Sequence, residues 1–299
     1  MIKTLYRKYV LNDLPQFYLP SLPALNCSKA LLFHHIPKNA GTSFRDILTR
    51  NYSRTERLYF YGNTDKIQSQ FQSEKTSNTK ARNIKCIATH KPKDWLEHLA
   101  PNYQAISFVR HPLNRVISLY NYLLTIPEER SGEGGYRITA AIREQKLSLE
   151  DIYNKFSKRS PQEDPEINLF SGFFNGQYRH LLGCYHNVRQ VPYSSQIDLE
   201  KTSLFYELKS ILDNHYYLGV VEEFKASVDK ITEALNWKVN TYPHKLLGSR
   251  IDNTKLTPAL RQKIIDYNQI DMLLWNLARH NILHEQSFNL SWHSSADYL

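Results

Sequence analysis

An apolar run, ALLFHHI from Ala30 to Ile36, is stopped by Pro37 and followed, after the loop PKNAG, by SFRDILTRNY, in which Phe44, Ile47 and Leu48 share one helical face. So short a run reads as a buried strand despite its two histidines, and the unit is a strand, a tight loop and a helix. The same unit recurs. KCIATH, residues 85–90, is a second predicted strand, followed by Pro92 and the helical stretch DWLEHL. QAISFVR is a third that ends at Arg110, and Pro112 suits the first turn of the helix LNRVISLYNYLL. Farther on, YYLGVV reads as another strand and EEFKASVDKITEALNW as a helix with Phe224, Val228, Ile231 and Leu235 on one face. PALRQKIIDYNQIDMLLWNLARHN is expected to be a single long helix begun by Pro258. Alternating strands and helices predict an α/β fold with a central parallel sheet flanked by helices.

With 299 residues and 41% hydrophobic content, the chain has enough material for one large α/β domain. The expected core runs over about residues 30–282, with an N-terminal extension 1–29 and a C-terminal tail 283–299. Residues 68–83 are polar without an apolar period and read as an exposed loop, as does the charged, Gly-rich stretch 127–135. The net charge of +9 favours anionic partners. Without a long Lys/Arg block or a nucleic-acid-binding signature, a small multiply charged ligand is the economical reading and nucleic acid is not expected. Cys27, Cys86 and Cys184 stand apart, so neither a disulfide framework nor a zinc site is indicated. The opening residues hold no signal-peptide core, and no apolar run reaches the length of a membrane span. A cytoplasmic location is the expectation.

The chemistry concentrates in HHIPKNAGTSF. A helix N-terminus offers unpaired N–H groups and the positive end of a dipole, both suited to phosphate. Gly41 permits close approach of the backbone, Thr42 and Ser43 add hydroxyl donors, and Lys38 adds a mobile charge. The lysine precedes the glycine, so this is not the GxxxxGK[ST] nucleotide loop. The competing structural explanation is a helix capped by Thr42 or Ser43 with Lys38 in solvent. FVRHPLNRVISLYNY, Phe108 to Tyr122, repeats the theme: Arg110 suits a bidentate phosphate contact, Ser118 lies two turns along the helix, and Arg115 is a further cation.

Together the two segments resemble the pair of donor-binding motifs of the sulfotransferase superfamily, which uses 3′-phosphoadenosine 5′-phosphosulfate (PAPS) and releases 3′-phosphoadenosine 5′-phosphate (PAP). IPKNAGTSF looks like the 5′-phosphosulfate loop and FVRHPLNRVISLYNY like the 3′-phosphate motif. The resemblance implies a P-loop-like three-layer fold, with Lys38, Asn39, Ala40, Gly41, Thr42 and Ser43 around the 5′-phosphosulfate and Arg110 and Ser118 on the 3′-phosphate. The loop departs from the common pattern at Asn39 and Ala40, where small or Thr/Gly residues are frequent. The style is closest to the carbohydrate enzymes of the heparan sulfate 2-O- and 6-O-type, which implies a hydroxylated acceptor of the glycan or glycoconjugate class. NGQYRHLLG, residues 175–183, resembles a segment of those enzymes near donor and acceptor, making Gln177, Arg179 and His180 candidate substrate contacts. LGVVEEF and DMLLW look like later core elements of the family.

Sulfuryl transfer needs a base near the acceptor hydroxyl and positive charge near the bridging oxygen of the leaving phosphate. His90, at the end of the second predicted strand, is the candidate base; ATHKPKDWLEHL also resembles the His-containing segment of 6-O-sulfotransferases. His34, His35 and His111 compete for the role, and since His34 and His35 alternate across a strand at most one of them faces the site. Lys38 is the candidate leaving-group stabiliser. No metal is required by this chemistry. An atypical P-loop kinase and a non-catalytic polyanion-binding protein are the alternatives; the lysine position and the lack of an acidic Mg²⁺ motif count against the kinase.

Overall fold

A computed structural model of the chain describes residues 29–61, 84–90, 103–130, 137–156, 165–181, 216–238 and 256–283. Leu31–His34 forms β1 and Gly41–Asn51 forms α1, the strand, loop and helix expected from the sequence. Arg57–Phe60 adds a strand, β2, that was not anticipated. Cys86–Thr89 is β3, Gln104–Val109 is β4 and Tyr216–Val220 is β5. Among the described residues these make one sheet of order β2-β3-β1-β4-β5. All its pairings are parallel, with Leu31 opposite Cys86 on one side of β1 and Gln104 on the other. β1, β3 and β5 are buried along their whole length, as parallel strands covered on both faces must be.

Pro112–Leu124 is α2, Arg137–Glu144 is α3 and Leu149–Phe156 is α4. A 3₁₀ helix, Pro165–Phe173, leads into the short α5, Gly176–Leu181. Phe224–Ala234 is α6, Pro258–Asp266 is α7 and Gln269–Leu283 is α8. One face of the sheet meets α1 and α6 through Phe33, Phe44, Phe108 and Phe224, whose rings pack at centroid distances of 4.8–5.1 Å. A second apolar cluster is helical, joining Val116 and Tyr120 of α2 to Ile152 and Tyr153 of α4, Phe173 and Ile264 of α7. Glu128–Arg130 is an exposed 3₁₀ turn, in keeping with the surface loop expected there.

The long C-terminal helix divides in two. Tyr267 and Asn268 leave the helical path because the Asn268 side chain is engaged elsewhere: its Nδ2 donates to the carbonyl oxygens of Ile264 and Phe173 and to the Tyr153 hydroxyl, while its Oδ1 accepts from the backbone N–H of Asn175. Apolar periodicity runs through the break, so the pattern alone joins the two helices. The predicted helix DWLEHL, the polar stretch 68–83, residues 131–135, residues 1–28 and 284–299 of the terminal segments, and Cys184 lie outside the described residues, as does Cys27. No helix among the described residues is long and apolar enough to cross a membrane.

Candidate active site

Parallel pairing sets the site. Because His34 lies opposite Thr89, the next residues along, His35 and His90, leave the carboxyl ends of neighbouring strands side by side. β4 ends in the same direction, and Arg110 follows it. The loop after β1, Arg110 and His90 are thus gathered at one edge of the sheet, where ligands of open α/β sheets bind.

The loop itself is built to leave a helix end open. Lys38 and Ala40 both have positive φ, 73° and 55°, and the chain enters α1 at Gly41 rather than Thr42. The cap residue is Ala40 and no side chain caps the helix. The first intrahelical bond runs from the Phe44 N–H to the Ala40 carbonyl, so the N–H groups of Gly41, Thr42 and Ser43 have no partner within the helix. Neither Thr42 nor Ser43 is a cap. Gly41 is required sterically: a Cβ there would lie 1.7 Å from Nε2 of His35, whose ring is held between Phe33, Tyr61 and His90.

Asn39 and Gln177 clamp this loop to the end of β4. The buried Asn39 Nδ2 donates to the Phe108 carbonyl at 2.6 Å and to Gln177 Oε1 at 2.7 Å. Gln177 Oε1 also accepts from the Arg110 N–H, and its Nε2 donates to the Arg110 carbonyl, each at 2.8 Å. Gln177 is held in turn by Asp271, whose carboxylate accepts from the N–H groups of Gln177 and Tyr178. Asn175 returns the favour at the start of α8 by accepting from Ile270 and Asp271. The segment expected to touch substrate is therefore framework at Gln177 and at Arg179, which is fully buried with its Nε donating to the Phe174 carbonyl. His180 is also buried, with its ring 6.3 Å from that of His34.

Arg110 reaches back to the loop, its Nη1 donating to the Lys38 carbonyl at 3.3 Å. Partial burial and the Arg110 charge lower the Lys38 ammonium below the usual lysine range. Ser118 is half-buried on α2, one helical turn before Tyr122. The other two candidates at this junction are spent on structure. Arg115 is buried with Nη1 on the Gly172 carbonyl, beneath Gly176, where a Cβ would approach the guanidinium to 2.6 Å. The N-terminus of α2 is covered by the Glu222 carboxylate, which accepts from the His111 N–H, Asn114 Nδ2 and Trp275 Nε1. That helix end is neutralised from within, so the second junction offers side chains and not a dipole.

His90 has a set ring orientation. Its Nδ1 lies 2.6 Å from the His35 carbonyl oxygen, which can only accept, so Nδ1 carries the proton and Nε2 the lone pair. The ring packs on His35 at 4.4 Å and meets Tyr61 edge-on at 4.7 Å. The competitors, buried at His34 and His111 and half-buried at His35, are hard to protonate: desolvation and nearby charges depress His34 to about 3 and His35 to about 2, and lower His111. His34 faces away from the loop, with Nδ1 3.0 Å from the Tyr216 hydroxyl, and His111 packs against Trp275. Tyr61 and Tyr122 were missed in the sequence, where each is one tyrosine among 20. Among the described residues no group of three or more His, Cys, Asp or Glu could hold a metal ion.

No curated protein matches the chain. Among solved structures it is similar to a sulfotransferase from Alicyclobacillus acidocaldarius, at 12% identity over 84% of this chain and 96% of that one, with a TM-score of 0.42. The family model described as "Sulfotransferase family" matches residues 25–278, from before β1 into α8 and through both phosphate-type motifs, and the chain belongs to that family.

Proposed function

We propose that this sulfotransferase takes its sulfuryl group from PAPS and passes it to a hydroxyl of a glycan or glycoconjugate. The observation that carries the donor assignment is the junction of the two motifs: an uncapped helix N-terminus preceded by Lys38, bonded through the Lys38 carbonyl to Arg110 at the end of β4. An open helix end and a lysine suit the 5′-phosphosulfate, and Arg110 with Ser118 suits the 3′-phosphate. The Glu222 carboxylate on α2 confines the second contact to those side chains. For the acceptor, the net charge of +9 and the resemblance to the carbohydrate enzymes favour an anionic sugar chain.

In this reading the acceptor oxygen attacks sulfur in line as the bond from sulfur to the bridging phosphate oxygen breaks. The hydroxyl proton goes to His90 Nε2, and the electron pair of the broken bond goes to the phosphate oxygen, where Lys38 and the N–H groups of Gly41 to Ser43 meet the growing charge. The products are a sulfate ester and PAP. Asn39 and Gln177 hold the two donor-binding segments in register.

Calorimetry on Arg110→Ala tests the donor assignment. PAP affinity should fall far more than affinity for adenosine 5′-phosphate, which lacks the 3′ group; equal losses would remove Arg110 from the 3′ contact. A mass-based screen of glycan, glycolipid and small hydroxylated acceptors with PAPS then tests the acceptor class. Transfer from ATP with strict Mg²⁺ dependence would favour a kinase, and PAP binding without transfer to any class would favour a binding protein.

A further inference from the structure

The Lys38 side chain does not point into bulk solvent: its Nζ sits 4.1 Å from the centroid of the Tyr122 ring. Tyr122 lies on the last turn of α2, one turn after Ser118 and on the same helix face. The backbone of Lys38 is fixed in the left-handed region and its carbonyl is bound by Arg110, so the stem starts from a set point. We propose that Tyr122 is a positioning residue for Lys38: its ring face holds the ammonium in the charged form on the side of α2 that carries Ser118. The proposal rests on Lys38 serving the donor loop.

The need for such a residue follows from what surrounds the amine. Arg110 reaches the Lys38 carbonyl from the end of β4, the uncapped N-terminus of α1 begins three residues after Lys38, and the imidazole of His35 is held neutral by burial and nearby positive charge. Burial and the Arg110 charge both push the lysine toward its neutral form, which could not steady a leaving phosphate. An aromatic face is the one neighbour in this set that attracts a cation without adding a negative charge to compete with an anionic donor. A carboxylate here would hold the lysine at the cost of repelling PAPS.

The test is the titration of the Lys38 amine in the full chain, read by competitive acetylation across pH with peptide mass spectrometry, using Lys263 on α7 as the internal reference. Tyr122→Leu should lower the Lys38 midpoint by about half a pH unit, the scale of a partly exposed cation–π contact. Tyr122→Phe, which keeps the ring face, should titrate with the wild type, and Tyr122→Met, of similar bulk, with the leucine variant. An unmoved midpoint in both non-aromatic variants, or a Phe variant that shifts as far as they do, overturns the proposal. Lys38→Ala separates this from the donor reading: if it binds PAP as the wild type does, the donor role of Lys38 fails whatever the labelling gives. If it loses PAP while the midpoints stay fixed, only the role of Tyr122 falls.

Discussion

At the scale of single residues, the loop holds its shape against a local cost. Ala40 adopts φ 55°, a region that an L-residue occupies at a penalty and glycine occupies freely. Ala40→Gly should therefore raise stability, by about 1 kcal/mol, in urea denaturation; a loss of stability would mean the strain is not there. The catalytic test is His90→Ala, which should keep PAP affinity and lose on the order of 10²-fold in single-turnover sulfation. Wild-type turnover in that variant would pass the role to another group. The positions of the candidate side chains were legible in the sequence, because His90 and Arg110 close predicted strands and Lys38 and Gly41 lie in the loop and helix start after β1. Their roles were less so: burial removes Arg115 and Arg179 from the surface and makes Gln177 a clamp, and burial is a property of the packed chain, not of the letters.

At the scale of elements, α5 and α8 fasten each other by exchange of caps, Asp271 on the start of α5 and Asn175 on the start of α8. Asn268 closes the arrangement with its bonds to Ile264, Phe173, Tyr153 and Asn175. Replacing it by alanine leaves buried polar groups without partners, which should cost about 2 kcal/mol or more. The measurement is a chemical denaturation curve, and a change within about 0.5 kcal/mol, the range of an ordinary surface substitution, would contradict the structural role. Apolar runs of the right length identified β1, β3, β4 and β5, and helical periodicity identified α1, α2 and α6. β2, Arg57–Phe60, escaped the reading, and the break before α8 escaped because it is made by one polar side chain whose partners are up to 115 residues away.

At the scale of the molecule, burying imidazoles ties stability to pH. His34 and His35 are depressed to about 3 and about 2 from an ordinary 6.5, and His111 and His180 are lowered as well, chiefly by desolvation. A base whose folded pKa lies below its unfolded value binds fewer protons when folded, so acid favours the unfolded chain. Their contribution is complete above about 6.5 and is lost as pH falls from there toward about 3. The denaturant midpoint should drop steeply between pH 6.5 and 4, with less drop in His34→Phe. A flat profile over that range would show that these rings protonate in the folded state. The parallel architecture was the most legible feature of all, since strand and helix alternation dictates it, and with it the edge of the sheet at which the candidate residues gather.

The bond from His90 to the main-chain oxygen of His35 has a genetic consequence. Many acid–base histidines depend on a carboxylate elsewhere in the chain, so that two codons share one function and a lesion in either silences it. For His90, the candidate base, this partner is a main-chain carbonyl that every amino acid supplies. A missense change at codon 35 leaves the oxygen itself in the chain, and the proton on Nδ1 is inherited with the strand pairing.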